Sequence, residues 1–176
     1  MINEAVTEGS TLATNERPDR ALKISNARIL SAVYFGLLAV VFTLTLDAIL
    51  YVLGVFQVIP LFEGTLLAMF TASVFGALFG DKIVHCHIPF KRKVFLYGWL
   101  MTLLAMPFYD FGFLLFYLHE HADLVALSAW ETWQFYLVIL TQGFILVEFW
   151  LGLLAGLAAI YLRSKLIYYI YDSKDD

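Results

Sequence analysis

Apolar residues run in long blocks along most of this chain, and short polar segments separate them. A membrane-spanning helix needs about 20 mostly apolar residues. Four blocks reach that length, at residues 29–59, 61–80, 94–118 and 129–162. The first is broken only by Asp47 and Gln57 and is long enough to tilt or to pass beyond a bilayer. Pro60 marks a tight turn before the second block, which has Glu63 at its mouth. The third holds Pro107 and Asp110, and the fourth holds Glu148. Ser128 and Glu131 have the spacing of a capping box, which sets the start of the last helix ahead of the hydrocarbon boundary. The pattern predicts an all-α, integral membrane four-helix bundle over residues 28–165, with tails at 1–27 and 166–176.

Composition agrees. Hydrophobic residues make up 61% of the chain and charged ones 15%, against roughly 45–50% and about 25% in soluble domains. The placement of charge is more informative than the net value of −4. Arg17, Arg20, Lys23 and Arg28 precede the first block. Lys82, Lys91, Arg92 and Lys93 lie between the second and third, and Arg163, Lys165 and Lys174 end or follow the fourth. These are all 11 Lys and Arg residues. The two other connections carry Glu63, Glu120, Asp123 and Glu131 instead. Cytoplasmic loops of membrane proteins are enriched in Lys and Arg, so both termini are expected in the cytoplasm.

The first 27 residues lack the apolar stretch of a signal peptide, and cleavage is not expected. Their composition predicts a disordered tail, with a short partner-docking helix as the alternative. Residues 166–171 (LIYYIY) suit a membrane interface, as do Trp130 and Trp133 on the outer side and Trp99 on the inner. The outer loop, residues 118–128, is apolar enough to lie in the interface over the bundle mouth. No basic patch is interleaved with aromatics in a soluble segment, which leaves no nucleic-acid reading. The one cysteine, Cys86, excludes an internal disulfide. His85-Cys86-His87 and His119-Glu120-His121 resemble metal ligands, but they are expected on opposite sides of the membrane and each supplies too few donors. No metal, cofactor or enzymatic nucleophile is expected.

Two glycine pairs have the spacing that lets helix backbones approach in lipid: Gly76 with Gly80, and Gly152 with Gly156. Whether each pairs helices within one chain or between two copies is open at this level. Glu148 shares a face with Gly152 and Gly156. A faint parallel repeat is visible, with Asp47 and Asp110 in outward helices and a glycine pair in each helix that returns.

The strongest pointers to chemistry are Asp47, Asp110 and Glu148. Each lies in an apolar block with no Lys, Arg or His to pair with. An isolated carboxylate in hydrocarbon is costly, so each must be protonated, hydrated or bonded to another helix. At 1.5 Å of rise per residue, all three fall between the bilayer midplane and its outer half, where one polar layer would hold them. Clustered carboxyls of that kind can carry protons. The alternative is that each, neutral, bonds Thr43, Thr45, Gln142 or a backbone carbonyl and joins helices.

Asp47, the run Met106-Pro107-Phe108-Tyr109, and Gly152, Gly156, Tyr161 and Arg163 carry a further hint. In these positions the chain resembles the small four-span bacterial L-alanine exporters, which have an acid in the first span and a glycine pair near the end of the last. The chain departs from that family in the first outer turn, in the run Leu78-Phe79-Gly80-Asp81-Lys82, and in a longer outer loop. The resemblance implies a bacterial inner membrane and amino-acid export. The expected function is a small proton-linked exporter, surrounded by lipid and acting as a homo-oligomer. A non-catalytic subunit of a larger membrane complex, bound to other membrane subunits, is the alternative.

Overall fold

A computed structural model describes residues 26–54, 60–87, 90–121 and 128–166. The expectations for both tails and for residues 122–127 of the outer loop lie outside the described residues. The fold is all-α, with no strand among the described residues. Its helices are α1 (Ala27–Val52), α2 (Leu61–Val84), α3 (Lys91–Glu120), α4 (Ala129–Gly143) and α5 (Phe149–Tyr161). A π-helical turn, Phe144–Glu148, joins α4 to α5 without a break, and a second, Leu162–Leu166, follows α5. Four helical stretches are therefore long and apolar enough to cross a membrane, the last running Ala129–Lys165.

The helix ends follow local chemistry. Pro60 sits at the N-cap of α2, where a fixed φ and a missing N–H are tolerated, and its carbonyl accepts from Glu63 and Gly64. Ser128 caps α4: its hydroxyl accepts from the Glu131 N–H at 3.4 Å, and its own N–H donates to Glu131 Oε2 at 2.8 Å. α1 stops at Val52, short of the expected Ile59. Gly54 takes a φ of 73° just past the helix, and its N–H donates to Tyr51 O. Glycine adopts that left-handed backbone freely and ends helices for that reason.

Packing divides the molecule into two antiparallel pairs, α1 with α2 and α3 with α5, joined through α2 and α3. Glycines set both pairs. A Cβ on Gly80 would stand 2.9 Å from the Ala27 carbonyl oxygen, and one on Gly76 the same distance from that of Ser31. Across the second pair, a Cβ on Gly98 would meet Ala155 O at 2.7 Å, while Gly156 lies under the Phe95 ring and Gly152 under the Trp99 indole. Both glycine pairs thus serve contacts within one chain. Trp99 is half-buried between α3 and α5.

Most buried apolar residues gather at one end: Ala27 and Phe35 from α1, Ile83 and Val84 from α2, Val94 and Met101 from α3, Ala159 and Leu162 at the close of the fourth stretch; Leu114, beyond Asp110 on α3, is buried at the other. The described Lys and Arg residues lie at this same basic end, and both ends of the described chain meet there. Tyr34 ties α1 to α5 by donating to Ala158 O at 3.2 Å. Arg28 Nε bonds Asp81 Oδ2 at 2.6 Å across α1 and α2. At the other end α4 buries no residue at all. Large apolar side chains such as Leu37, Phe70 and Leu146 cover the exterior. In a multi-pass membrane protein these meet lipid.

Substitution at the glycines separates packing from helix propensity. Alanine is favoured over glycine inside a helix by about 1 kcal/mol. Gly64 has no atom near a would-be Cβ, so Gly64→Ala raises stability slightly. Gly80→Ala forces α1 away and lowers it by about 1–3 kcal/mol. Reversible unfolding in mixed micelles gives both values, and equal effects at the two sites would contradict the close contact.

Candidate functional site

The buried acids are assembled by two departures from regular helix. α3 carries Pro107 in its interior. Proline cannot donate to the carbonyl four residues back and strains the turn before it. Asp110 follows less than one turn later and is only 6% exposed. Opposite it, Glu148 closes the first π-helical turn and is 4% exposed. The Phe149 N–H donates to Phe144 O, five residues back rather than four. A π turn brings residues five apart into line. Glu148 is therefore stacked over Gly143, and its side chain, leaning toward the helix N-terminus, folds back onto it. A Cβ on Gly143 would stand 2.9 Å from Glu148 Oε1 and 3.7 Å from Asp110 Oδ2. A side chain at 143 would press on the Glu148 carboxyl where glycine leaves it room.

The Asp110 and Glu148 carboxyls lie together beside Gly143. An ionised carboxylate only accepts, so a hydrogen bond between the two would require a proton on one of them. Asp110 Oδ2 and Glu148 Oε1 remain buried with no hydrogen-bond partner. Tyr136 of α4 frames the site: its hydroxyl donates to Pro107 O at 3.1 Å, and its ring meets Phe111 edge-on at 6.1 Å.

The structure thus joins two of the three acids singled out from the sequence. Asp47 is half-buried on α1 and has an interaction of its own. The threonines expected as partners are occupied within their own helices, Thr43 bonding Ala39 O at 2.8 Å and Thr45 bonding Val41 O at 2.7 Å. Such bonds to the carbonyl four residues back are common for helical threonine. Gln142 is exposed.

The histidines form only local contacts. His85 lies 3.7 Å from Asp81, and His121 Nδ1 is 3.0 Å from Tyr117 O with the two rings stacked. Among the described residues no three His, Cys, Asp or Glu side chains gather where a metal could sit. Glu63 is half-buried in the first turn of α2. Three residues that matter were not singled out for the roles they play. Gly143 and Tyr136 build the acid site. Arg163, expected on the watery side of the membrane, is fully buried: it donates to Cys86 O at 3.0 Å and lies 4.8 Å over the Phe90 ring. A guanidinium over an aromatic face is a favourable way to enclose that charge.

Fold and site together define a small multi-pass membrane protein with a buried pair of acids between its third and fourth membrane-length helices. No family model matches the chain, and no curated protein or solved structure matches it either.

A double-mutant cycle tests the pairing. Asp110→Leu strands the Glu148 carboxyl, and Glu148→Leu strands that of Asp110. Each single change should cost about 1–3 kcal/mol through the polar group left unsatisfied. The double change restores most of that loss. Additive losses in reversible micellar unfolding would mean that the two carboxyls do not interact.

Proposed function

We propose that this protein is a small proton-linked transporter of the bacterial inner membrane, exporting a small solute such as an amino acid, with the Asp110–Glu148 pair as its proton carrier. One observation carries this reading: two enclosed carboxyls lie together, with Asp110 Oδ2 and Glu148 Oε1 buried and without a hydrogen-bond partner. A network that only joins helices gains from full satisfaction, and half-satisfied buried polar groups are costly. Lone oxygens held in hydrocarbon suit a site that exchanges protons or contacts a polar solute. Backbone geometry supports the same role. Pro107 and the Phe144–Glu148 turn interrupt both flanking helices beside the acids, where regular hydrogen bonding resists movement least. The resemblance of Asp47, residues 106–109 and the Gly152–Gly156 segment to the L-alanine exporters supports an amino-acid substrate.

The segregation of Lys and Arg supports a cytoplasmic location for the basic end and both termini. Cys86 lies at that end, half-exposed, and is the sole cysteine. A membrane-impermeant maleimide should label it in inside-out vesicles and not in intact cells. The reverse pattern would invert the topology.

Oligomerisation follows from size. α4 buries nothing within the chain while exposing Trp130, Trp133, Leu137 and Val138. One four-span chain encloses little volume for a solute path, and a second copy would supply the missing wall. The same face supports the second reading, a subunit of a larger membrane complex.

Transport is tested in proteoliposomes carrying an internal pH dye, with L-alanine and other small neutral amino acids offered under an imposed proton gradient. Wild-type protein should couple solute to proton movement. Asp110→Asn and Glu148→Gln should each lower that flux more than tenfold, on the scale of a lost general acid–base group. Full proton-linked flux in both variants removes the proton role. Co-purification of fixed stoichiometric partners, with no flux from the protein alone, favours the subunit reading.

A further inference from the structure

A groove of about 420 Å³ lies at the basic end, lined by Lys91, Arg92, Phe95 and Leu96 of α3 and by Ile160 of α5. Its composition is split. One margin is cationic, and both of its cations are exposed. The remaining wall is hydrocarbon and aromatic. No acid lines it, and among the described residues no ion pair engages Lys91 or Arg92. Asp81, the acid at this end of α2, is taken up by Arg28 at 2.6 Å.

Three features make the margin attractive to an anion. Lys91, Arg92 and Lys93 follow one another in the first turn of α3. That turn carries the positive end of the helix dipole. The N-cap residue, Phe90, makes no side-chain hydrogen bond to it, so its first N–H groups are not used up by a cap. The wall has a different origin. Phe95 rests on Gly156, where a Cβ would come within 2.7 Å of the ring. The missing side chain draws the ring in toward α5 and leaves a channel beside it, bounded by Leu96 and Ile160.

A soluble anion would use the margin and gain nothing from the wall. A neutral lipid tail would use the wall and leave two cations unanswered. The occupant that answers both joins an anion to a hydrocarbon chain. In a membrane-spanning chain the groove opens onto the leaflet that supplies such molecules. We propose that this groove binds an anionic phospholipid, with Lys91 and Arg92 holding the phosphate-bearing headgroup and Phe95, Leu96 and Ile160 receiving the upper part of an acyl chain. Basic recesses between membrane helices bind anionic headgroups on the same grounds. The site is remote from the acid pair and does not depend on the transport reading.

The test uses the full chain in mild detergent, titrated with phosphatidylglycerol or with phosphatidylcholine of identical acyl chains, and read by native mass spectrometry. Phosphatidylglycerol should be retained and phosphatidylcholine lost at equal activation energy. Lys91→Gln and Arg92→Gln should each weaken phosphatidylglycerol binding about fivefold, the worth of one basic residue at an anionic surface. Leu96→Ala should weaken it without a change of charge. Lys82→Gln removes a cation at the same end but outside the groove and should leave binding intact. Soluble glycerol phosphate should not compete. Equal retention of the two lipids overturns the proposal, as does a loss in Lys82→Gln equal to that in Lys91→Gln, or full displacement by glycerol phosphate. Unchanged helical circular dichroism in each variant ties a loss to the groove rather than to unfolding.

Discussion

Helices in lipid gain nothing from hiding apolar side chains from one another, because the tails around them are equally apolar. They are held by close backbone approach and by the polar groups they share. In this chain close approach is possible only where glycine stands on the contact face. Gly76 and Gly80 admit α1, and Gly98, Gly152 and Gly156 bring α3 against α5. These five lie on the basic side of the acid pair, and Gly112, set against the Leu67 side chain, makes a close contact beyond it. That placement explains why most of the buried apolar residues collect at the basic end, Leu114 lying beyond it, and why α4, beyond the last of these glycines, buries nothing. The two sides of the molecule differ in tightness because most of these glycine contacts fall on one of them.

The first π-helical turn sits where tight packing gives way to loose. A regular helix continued from α5 would carry Glu148 on the glycine face but would not set it above Gly143. The extra residue in the turn does that and rotates α4 by about 100° relative to a regular continuation. The same feature enables both the enclosed carboxyl and the release of α4 from the bundle. It also leaves α4 free to present Tyr136 to Pro107 at 3.1 Å, a bond that joins the Phe111–Tyr136 and Tyr117–Phe135 ring contacts in keeping α4 against α3.

Much of this architecture is legible in the sequence, because hydropathy and charge act through simple sums. The four membrane-length helices need only length and composition, and the glycine pairs have few uses in lipid other than contact. What escapes depends on backbone register. The end of α1 at Val52 is set by the positive φ of Gly54, inside a run that is apolar to Ile59 except for Gln57. The π turn carries no recognisable spelling in the residues FILVE, so depth alone suggested a layer of three acids while the fold joins Asp110 to Glu148. Counting cations likewise registers the sign of Arg163 but not its burial, which depends on the Cys86 carbonyl and the Phe90 ring arriving from another part of the chain.

The tight basic end constrains how the acid pair can be reached. Between it and that end lie the contact of Gly98 with the Ala155 carbonyl, the Trp99 indole over Gly152, and the bond from Arg163 to Cys86 O. No solute passes between α3 and α5 while these hold. Among the described residues the looser end has no such seal, since α4 buries nothing there. Access from the basic side therefore requires α3 and α5 to part, or a route along a face shared with a second copy. The backbone favours rotation over separation: Pro107 and the π turn weaken hydrogen bonding beside the acids, whereas the glycine contacts gain their stability from remaining closed. A pivot there would move α4 and the outer part of α3 about a fixed basic end. The carboxyls would then change surroundings without the glycine seam opening.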